Sequence, residues 1–271
     1  MIIPLIGTIV ISFLLTKIIF PMISNMLYEG NCTKSNYTGE IIPVCSGLVF
    51  IPVIAVNTFI SILWLNDDKY IYLLVFFLGT LAMGFAGLID DVFGNRNVTG
   101  LKGHLRSLLK GNLTTGAFKA LFGGLAAFII SLILSNNIID ILINTIIIAL
   151  FTNTINLLDL RPGRAIKGFL LFTLLLLTSA PLGILQLLLY GLSGSAIAYL
   201  PYDLKAKSML GDVGSNILGI SLGIICAVSS FNARIAALIL LILFHLYTEK
   251  YSLTDTIEKN KVLKYFDQFG R

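Results

Sequence analysis

Apolar runs of roughly 17–22 residues follow one another along this chain, each long enough to cross a hydrocarbon core about 30 Å thick as a helix. Hydrophobic residues make up 56% of the 271 and charged residues 12%, against about 25% charge in an ordinary soluble domain. Mean hydropathy is +0.92. Such a composition excludes a soluble globular fold and predicts an all-α polytopic membrane bundle of about nine or ten helices. Nine are expected, at 2–23, 43–64, 70–89, 114–134, 137–152, 167–180, 182–200, 214–230 and 233–248. The first run has neither a basic start nor a small-residue cleavage site, so it reads as a spanning helix and not as a signal peptide. No internal repeat or flexible linker divides the chain. One transmembrane domain over 1–248 and a cytoplasmic amphipathic tail over 249–271 is the simplest organisation.

Basic residues orient the bundle. The segments 24–42, 90–113, 153–166, 201–213 and 249–271 fall on one side and hold most of the Lys and Arg, including Arg96, Lys102, Arg106, Lys110, Arg161, Arg164, Lys205 and Lys207. The other side carries little beyond Lys69 and Arg234. The positive-inside rule makes the basic side cytoplasmic, with the N-terminus outside and the C-terminus inside. This distribution also accounts for the net charge of +5, so no nucleic-acid partner is implied. Cys32, Cys45 and Cys226 have no metal-binding or redox spacing and read as isolated thiols.

Acids are scarce in this chain, and they gather in four short polar islands on the basic side: Gly87 to Gly94, Asn153 to Asp159, Tyr202-Asp203, and Leu210 to Asn216. An acid near hydrocarbon costs about 2.5–3.5 kcal/mol on insertion scales, so acids clustered at helix ends point to a bound cation. Asp90-Asp91 ends a helix, where the dipole disfavours anions and two adjacent carboxylates repel each other unless a cation intervenes. Asn153, Asn156 and Asp159 recur every third residue and share a face if the helix continues through them. Their oxygens suit a divalent ion, a phosphate network or a sugar. Arg161 and Arg164 flank the helix-breaking Pro162-Gly163, placed to grip phosphate or to anchor the membrane edge. Asp212 opens a helix between glycines, an arrangement that allows close backbone approach and serves either a ligand or a simple N-cap.

Taken in order, the motifs Gly87-Leu-Ile-Asp90-Asp91, Asn153-x-x-Asn156-x-x-Asp159 and Gly211-Asp212-Val-Gly214-Ser215 resemble the signatures of the polyprenyl-phosphate N-acetylhexosamine-1-phosphate transferase superfamily, over about residues 30–225. The resemblance implies about ten helices around a cytoplasmic cleft. It also implies Mg²⁺-dependent transfer, with Mn²⁺ as a substitute, of a sugar-1-phosphate from a nucleotide-sugar, UDP-linked in the commonest case, to undecaprenyl or another polyprenyl phosphate. On that resemblance Asp212 is the leading metal ligand. Asp90 and Asp91 orient or deprotonate the lipid phosphate and help to hold the metal, while Asp159 joins them in catalysis. Asn153, Asn156, Ser215, Lys102, Lys119, Arg161 and Arg164 are the expected substrate-binding residues. A homodimer is compatible with the reading.

Two departures stand out. Where the superfamily commonly reads Asp-Gly-x-Asp-Gly, this chain has Asp159-Leu160-Arg161-Pro162-Gly163, which removes one carboxylate. The superfamily's late His cluster is reduced to a solitary His245, and His104 lies in a basic loop. A non-catalytic relative that binds polyprenyl phosphate is therefore the alternative to an enzyme. A transporter would place its acids at mid-helix and is disfavoured. The tail alternates apolar residues with Lys259, Lys261 and Lys264 and is expected to be an amphipathic helix on the anionic inner leaflet. The orientation is directly testable: a cysteine placed at Asn97 should resist a membrane-impermeant thiol reagent in intact cells, and labelling from outside would contradict the assignment.

Overall fold

The computed structural model describes residues 2–64, 70–94, 100–177 and 183–271. Helix α1 (Ile2–Glu29) leads into a small antiparallel hairpin, β1 (Thr33–Ser35) with β2 (Ile41–Pro43), and a 3₁₀ turn at Ser46–Val49. Then come α2 (Phe50–Trp64), α3 (Tyr70–Phe93), α4 (Gly100–Leu109), α5 (Thr115–Leu134) and α6 (Ile138–Leu158). The second half holds α7 (Arg164–Leu177), α8 (Ile184–Leu204), α9 (Gly211–Ala227) and α10 (Phe231–Lys250), and then the tail helices α11 (Leu253–Lys259) and α12 (Lys261–Gln268). Each of the nine expected runs contains one helix.

Among the described residues six helices are long and apolar enough to cross a membrane: Leu5–Glu29, Ser46–Leu63, Tyr70–Phe93, Thr115–Leu134, Ile138–Leu158 and Phe231–Lys250. The chain is thus an all-α multi-pass membrane bundle. Its outer helices turn apolar side chains outward, as Leu240, Leu243 and Leu246 of α10 do, which is the surface lipid requires. The expected turn at 65–69 lies outside the described residues. At the face away from the basic segments, Arg234 pairs with Asp140 at 2.8 Å and donates to Asn144, joining α10 to α6.

At the centre stands α9, buried along its length from Val213 to Ala227. A helix apolar or small all round belongs in a core. Gly211, Ser215, Gly219 and Gly223 recur every fourth residue and form one smooth stripe. A Cβ on Gly219 would lie 2.5 Å from the Thr152 Cα, and one on Gly223 would lie 2.7 Å from the Ile148 Cα, so the backbones of α9 and α6 touch. Without a hydrophobic drive between helices in lipid, this close van der Waals approach is what holds them. On another side Gly87 of α3 abuts the Asp212 carbonyl. Buried polar clamps join α1, α2 and α8: Thr16 to Ser195 at 2.6 Å, and Asn57 to Ser12 at 2.7 Å.

Several boundaries differ from the hydropathy reading, and each difference moves polar residues into helices. Helix α3 runs past both acids to Phe93, α6 continues through Asn153 and Asn156 to Leu158, and α9 begins at Gly211. Intrahelical hydrogen bonding carries the helix beyond the point where apolarity ends. The tail is two short helices, not one, broken at Asn260, whose side chain accepts from the Val262 and Leu263 amides and caps α12. Helix α12 exposes Val262, Leu263 and Phe266, as does the chain just beyond it at Phe269, and turns Asp267 inward. We expect Gly219→Val to destabilise the bundle by about 1–3 kcal/mol through overpacking against α6, read as a lower melting temperature in detergent. Unchanged melting would disprove the close approach.

Candidate active site

Three of the four islands meet at the N-terminus of α9. That end has backbone N–H groups to satisfy, and Leu210 at the N-cap position offers no side-chain oxygen. Asp91 supplies one from α3: its carboxylate accepts from the amides of Asp212 and Val213, the latter at 3.1 Å. A carboxylate there also faces the positive end of the helix dipole. From the other side Asp159, at the end of α6, faces the Gly211 amide. Gly211 permits this crowding in two ways. Its φ is +76°, and a Cβ would stand 2.5 Å from the Asp91 Oδ2. Behind Asp91, the buried Cys45 thiol adjoins its carboxylate and the hairpin's Lys34 donates to its carbonyl at 3.1 Å.

Asp90 and Asp212 face a common cation. The Lys119 ammonium of α5 lies 2.6 Å from the Asp90 Oδ2 and 2.7 Å from the Asp212 Oδ2, with side-chain exposures of 18% for the lysine and 17% and 25% for the acids. Thr115, one turn earlier on α5, bonds Asp90 as well. Adjacent residues on a helix diverge by about 100°, so Asp90 can reach α5 while Asp91 reaches the α9 terminus.

The third island divides in use. Asn156 accepts from the Ser215 hydroxyl at 3.0 Å across the α6–α9 seam, whereas Asn153 is exposed. Burial and the charges of Asp203, Asp212 and Asp91 push the Asp159 carboxyl well above the usual range. Asp203, buried at the end of α8, accepts from the Gly163 amide at 2.9 Å. Arg161 is exposed at the surface. Arg164, by contrast, is 6% exposed and already engaged: Nε and Nη2 donate to the two oxygens of Asp267, and Nη1 to the Thr254 hydroxyl. A phosphate role for Arg164 would require the tail to leave. Lys102 lies on α4, apart from the other expected residues in sequence, and its side chain is outside those described, as is that of His104. His245 bonds the Leu241 carbonyl of its own helix.

Sequence reasoning named Asp203 as an island without giving it a role, and it missed Lys34, Cys45 and Asp267. Lys34 and Cys45 carry no spacing signal, and Asp267 meets Arg164 only across 103 positions.

No group of three His, Cys, Asp or Glu side chains forms a metal-holding cluster among the described residues. Mg²⁺ does not need one, because it keeps several waters and takes one or two carboxylates alongside substrate phosphates. Asp90 and Asp212 fit that requirement: their oxygens already converge on one cation, the Lys119 ammonium. An ammonium beside paired carboxylates at a helix N-terminus is equally a place for phosphate.

The family model described as glycosyl transferase family 4 matches residues 73–230, a span that contains all four islands. A phospho-N-acetylmuramoyl-pentapeptide-transferase of Staphylococcus haemolyticus is 26% identical over 268 residues, covering 88% of this chain and 78% of the relative. A protein of the same name from Staphylococcus aureus is 26% identical over 240 residues, covering 78% of this chain and 70% of its own length.

Removing the shared cation should expose the repulsion it offsets. Lys119→Met is expected to cost about 1–3 kcal/mol, the price of leaving charged partners unsatisfied. Lys119→Met with Asp90→Asn should recover part of the loss. Thermal melts of the two variants at low divalent-ion concentration check this; equal losses would show that the acids are not coupled through Lys119.

Proposed function

This chain belongs to glycosyl transferase family 4, and from that premise we propose that it transfers a sugar-1-phosphate from a nucleotide-diphosphate sugar, UDP-linked, to a polyprenyl phosphate. The site would work at the cytoplasmic membrane face of a bacterium, in the synthesis of an envelope polymer. The names of the relatives support a phosphosugar transferase. One observation carries the reading for this chain: Lys119 bridges Asp90 and Asp212 at the N-terminus of the central helix, on the basic side of the bundle.

The reaction is a phosphoryl exchange. An oxygen of the lipid phosphate forms a bond to the sugar-bearing phosphorus of the donor. The bond from that phosphorus to the bridging oxygen breaks, and nucleoside monophosphate leaves with the electron pair. Such a transfer needs positioning and charge neutralisation more than covalent help from the protein. Lys119 can pass from the acids to incoming phosphate oxygens and hold them in line. Asp90 orients the acceptor phosphate beside it. Asp91 acts through the helix terminus it caps and is a positioning residue. Asn156, Asp159 and the exposed Arg161 line the side left to the nucleotide-sugar. Mg²⁺ bound by Asp212 and Asp90 would supply neutralisation of the diphosphate charge. Phe266 and Phe269 of the tail would rest in the inner leaflet, with Lys261 and Lys264 toward anionic head groups.

Purified full-length protein, undecaprenyl phosphate, Mg²⁺ and a panel of radiolabelled UDP-sugars test the proposal by the appearance of lipid-linked label. Asp212→Asn should cut transfer on the order of 10²-fold or more while shifting stability by about 1 kcal/mol. Full activity in that variant would refute its role. If the wild type transfers none of the sugars and gains no thermal stability from Mg²⁺, the non-catalytic, lipid-phosphate-binding reading replaces this one.

A further inference from the structure

The family match ends at residue 230, before α11 and α12 begin. These tail helices nevertheless fold back onto the turn that follows Asp159. Arg164 and Asp267 form a bidentate pair at 2.8 and 3.1 Å, with side-chain exposures of 6% and 10%. The Arg271 guanidinium joins the same carboxylate at 3.0 Å and donates to the Pro162 carbonyl at 3.0 Å. Lys167, one turn into α7, donates to the carbonyls of Phe266, Asp267 and Phe269 at 3.0, 2.8 and 2.7 Å. Those carbonyls belong to the last turn of α12, where a cation meets the negative end of the helix. Although burial alone would raise it, the Arg164 guanidinium holds the Asp267 carboxyl below the usual range.

The turn draws its side-chain partners from other elements. Gly163 sits at φ +76°, and its amide bonds outward to Asp203. An Arg164 amide to Arg161 carbonyl bond at 3.2 Å closes it, while Leu160 N–H to the Leu158 carbonyl at 2.8 Å and Lys167 N–H to the Gly163 carbonyl at 3.0 Å tie it to the flanking helices. Asp203 therefore holds the turn from α8, and the tail holds it through Arg271 on the Pro162 carbonyl and Asp267 on Arg164. Asp159 lies immediately before the turn and faces the Gly211 amide next to Asp212. These contacts join the tail to the turn across 90 to 109 positions of sequence.

We propose that the α11–α12 tail is a positioning strap, and that Asp267, through Arg164, fixes the 160–163 turn and with it the register of Asp159 against Gly211. The strap stands in a region where this chain lacks the superfamily's second carboxylate, Pro162 occupying its place. Asp267 and Arg164 are positioning residues; neither needs to touch substrate. The consequence for turnover rests on the transferase reading above, with the donor held on the Asp159 side.

The experiment is amide hydrogen exchange on full-length protein in lipid nanodiscs, comparing wild type with Asp267→Ala, Asp267→Glu and, as a control at an exposed acid, Glu258→Gln. Asp267→Ala should speed exchange about tenfold at 159–164 and at Gly211 while leaving α1, α5 and α10 unchanged. Asp267→Glu should recover most of the protection, and Glu258→Gln should match wild type. In transfer assays Asp267→Ala should raise the KM for the nucleotide-sugar severalfold and leave that for polyprenyl phosphate unchanged. Unchanged exchange at 159–164 overturns the strap. Exchange rising alike over every helix also overturns it, because the tail would then be a folding element. A wild type without transfer activity defeats the transferase reading alone, since the exchange measurement still decides the strap.

Discussion

The N-terminus of α9 lies inside the bundle, and satisfying it organises much of what surrounds it. Its first amides have no cap of their own, and in an apolar interior each unsatisfied donor is costly. A carboxylate from another helix meets that demand, Asp91 from α3, and Asp159 at the end of α6 faces the Gly211 amide beside it. Their arrival has a cost in turn, because negative charge accumulates around one point. Lys119, bound to both Asp90 and Asp212, offsets part of it. The glycine stripe on α9 then allows α6 close enough for Asn156 to bond Ser215. Capping, counter-charge and close packing are thus one structural problem, solved at the place where a phosphate ligand would find both an ammonium and a helix terminus.

The adjacent acids illustrate how a structural role and a chemical role divide. Asp91 spends its carboxylate on backbone amides, with Cys45 and Lys34 behind it, and so fixes the direction of α9. Asp90, turned about a third of a helical revolution away, keeps its oxygens on an exchangeable partner. Side chains held by a mobile ammonium can change partner when substrate arrives, whereas those holding a helix terminus cannot do so without unfolding it. This is why Asp90, Lys119 and Asp212 bear the chemistry in our account and Asp91 and Asp159 bear the geometry.

Much of this was legible in the chain. Apolar run lengths located nine of the described helices, α1 to α3 and α5 to α10, and the scarcity of acids made their few clusters conspicuous. Boundaries failed where polar residues stay helical, as at Asn153 to Leu158, because hydropathy does not register intrahelical hydrogen bonds. The hairpin at Thr33–Pro43 is too short and polar to give a periodic signal. Long-range pairs were the real blind spot. Arg164 read as a phosphate ligand because a guanidinium beside a Pro-Gly break has that local look, yet it is turned toward Asp267, which local pattern could not supply. Asp203 was visible as an acid out of place, but its partner, the Gly163 amide, becomes apparent only once α8 and the turn before α7 are seen side by side.

The central claim is that Asp90 and Asp212 form a cation site that Lys119 shares. Electron paramagnetic resonance with Mn²⁺ as the probe addresses it without depending on turnover. Titrating Mn²⁺ into the full-length protein with UDP and undecaprenyl phosphate present should remove one equivalent of the free-ion signal per chain. The account predicts that Asp212→Asn and Asp90→Asn each abolish this binding, whereas Glu258→Gln retains it. Undiminished Mn²⁺ binding in both aspartate variants would contradict the account.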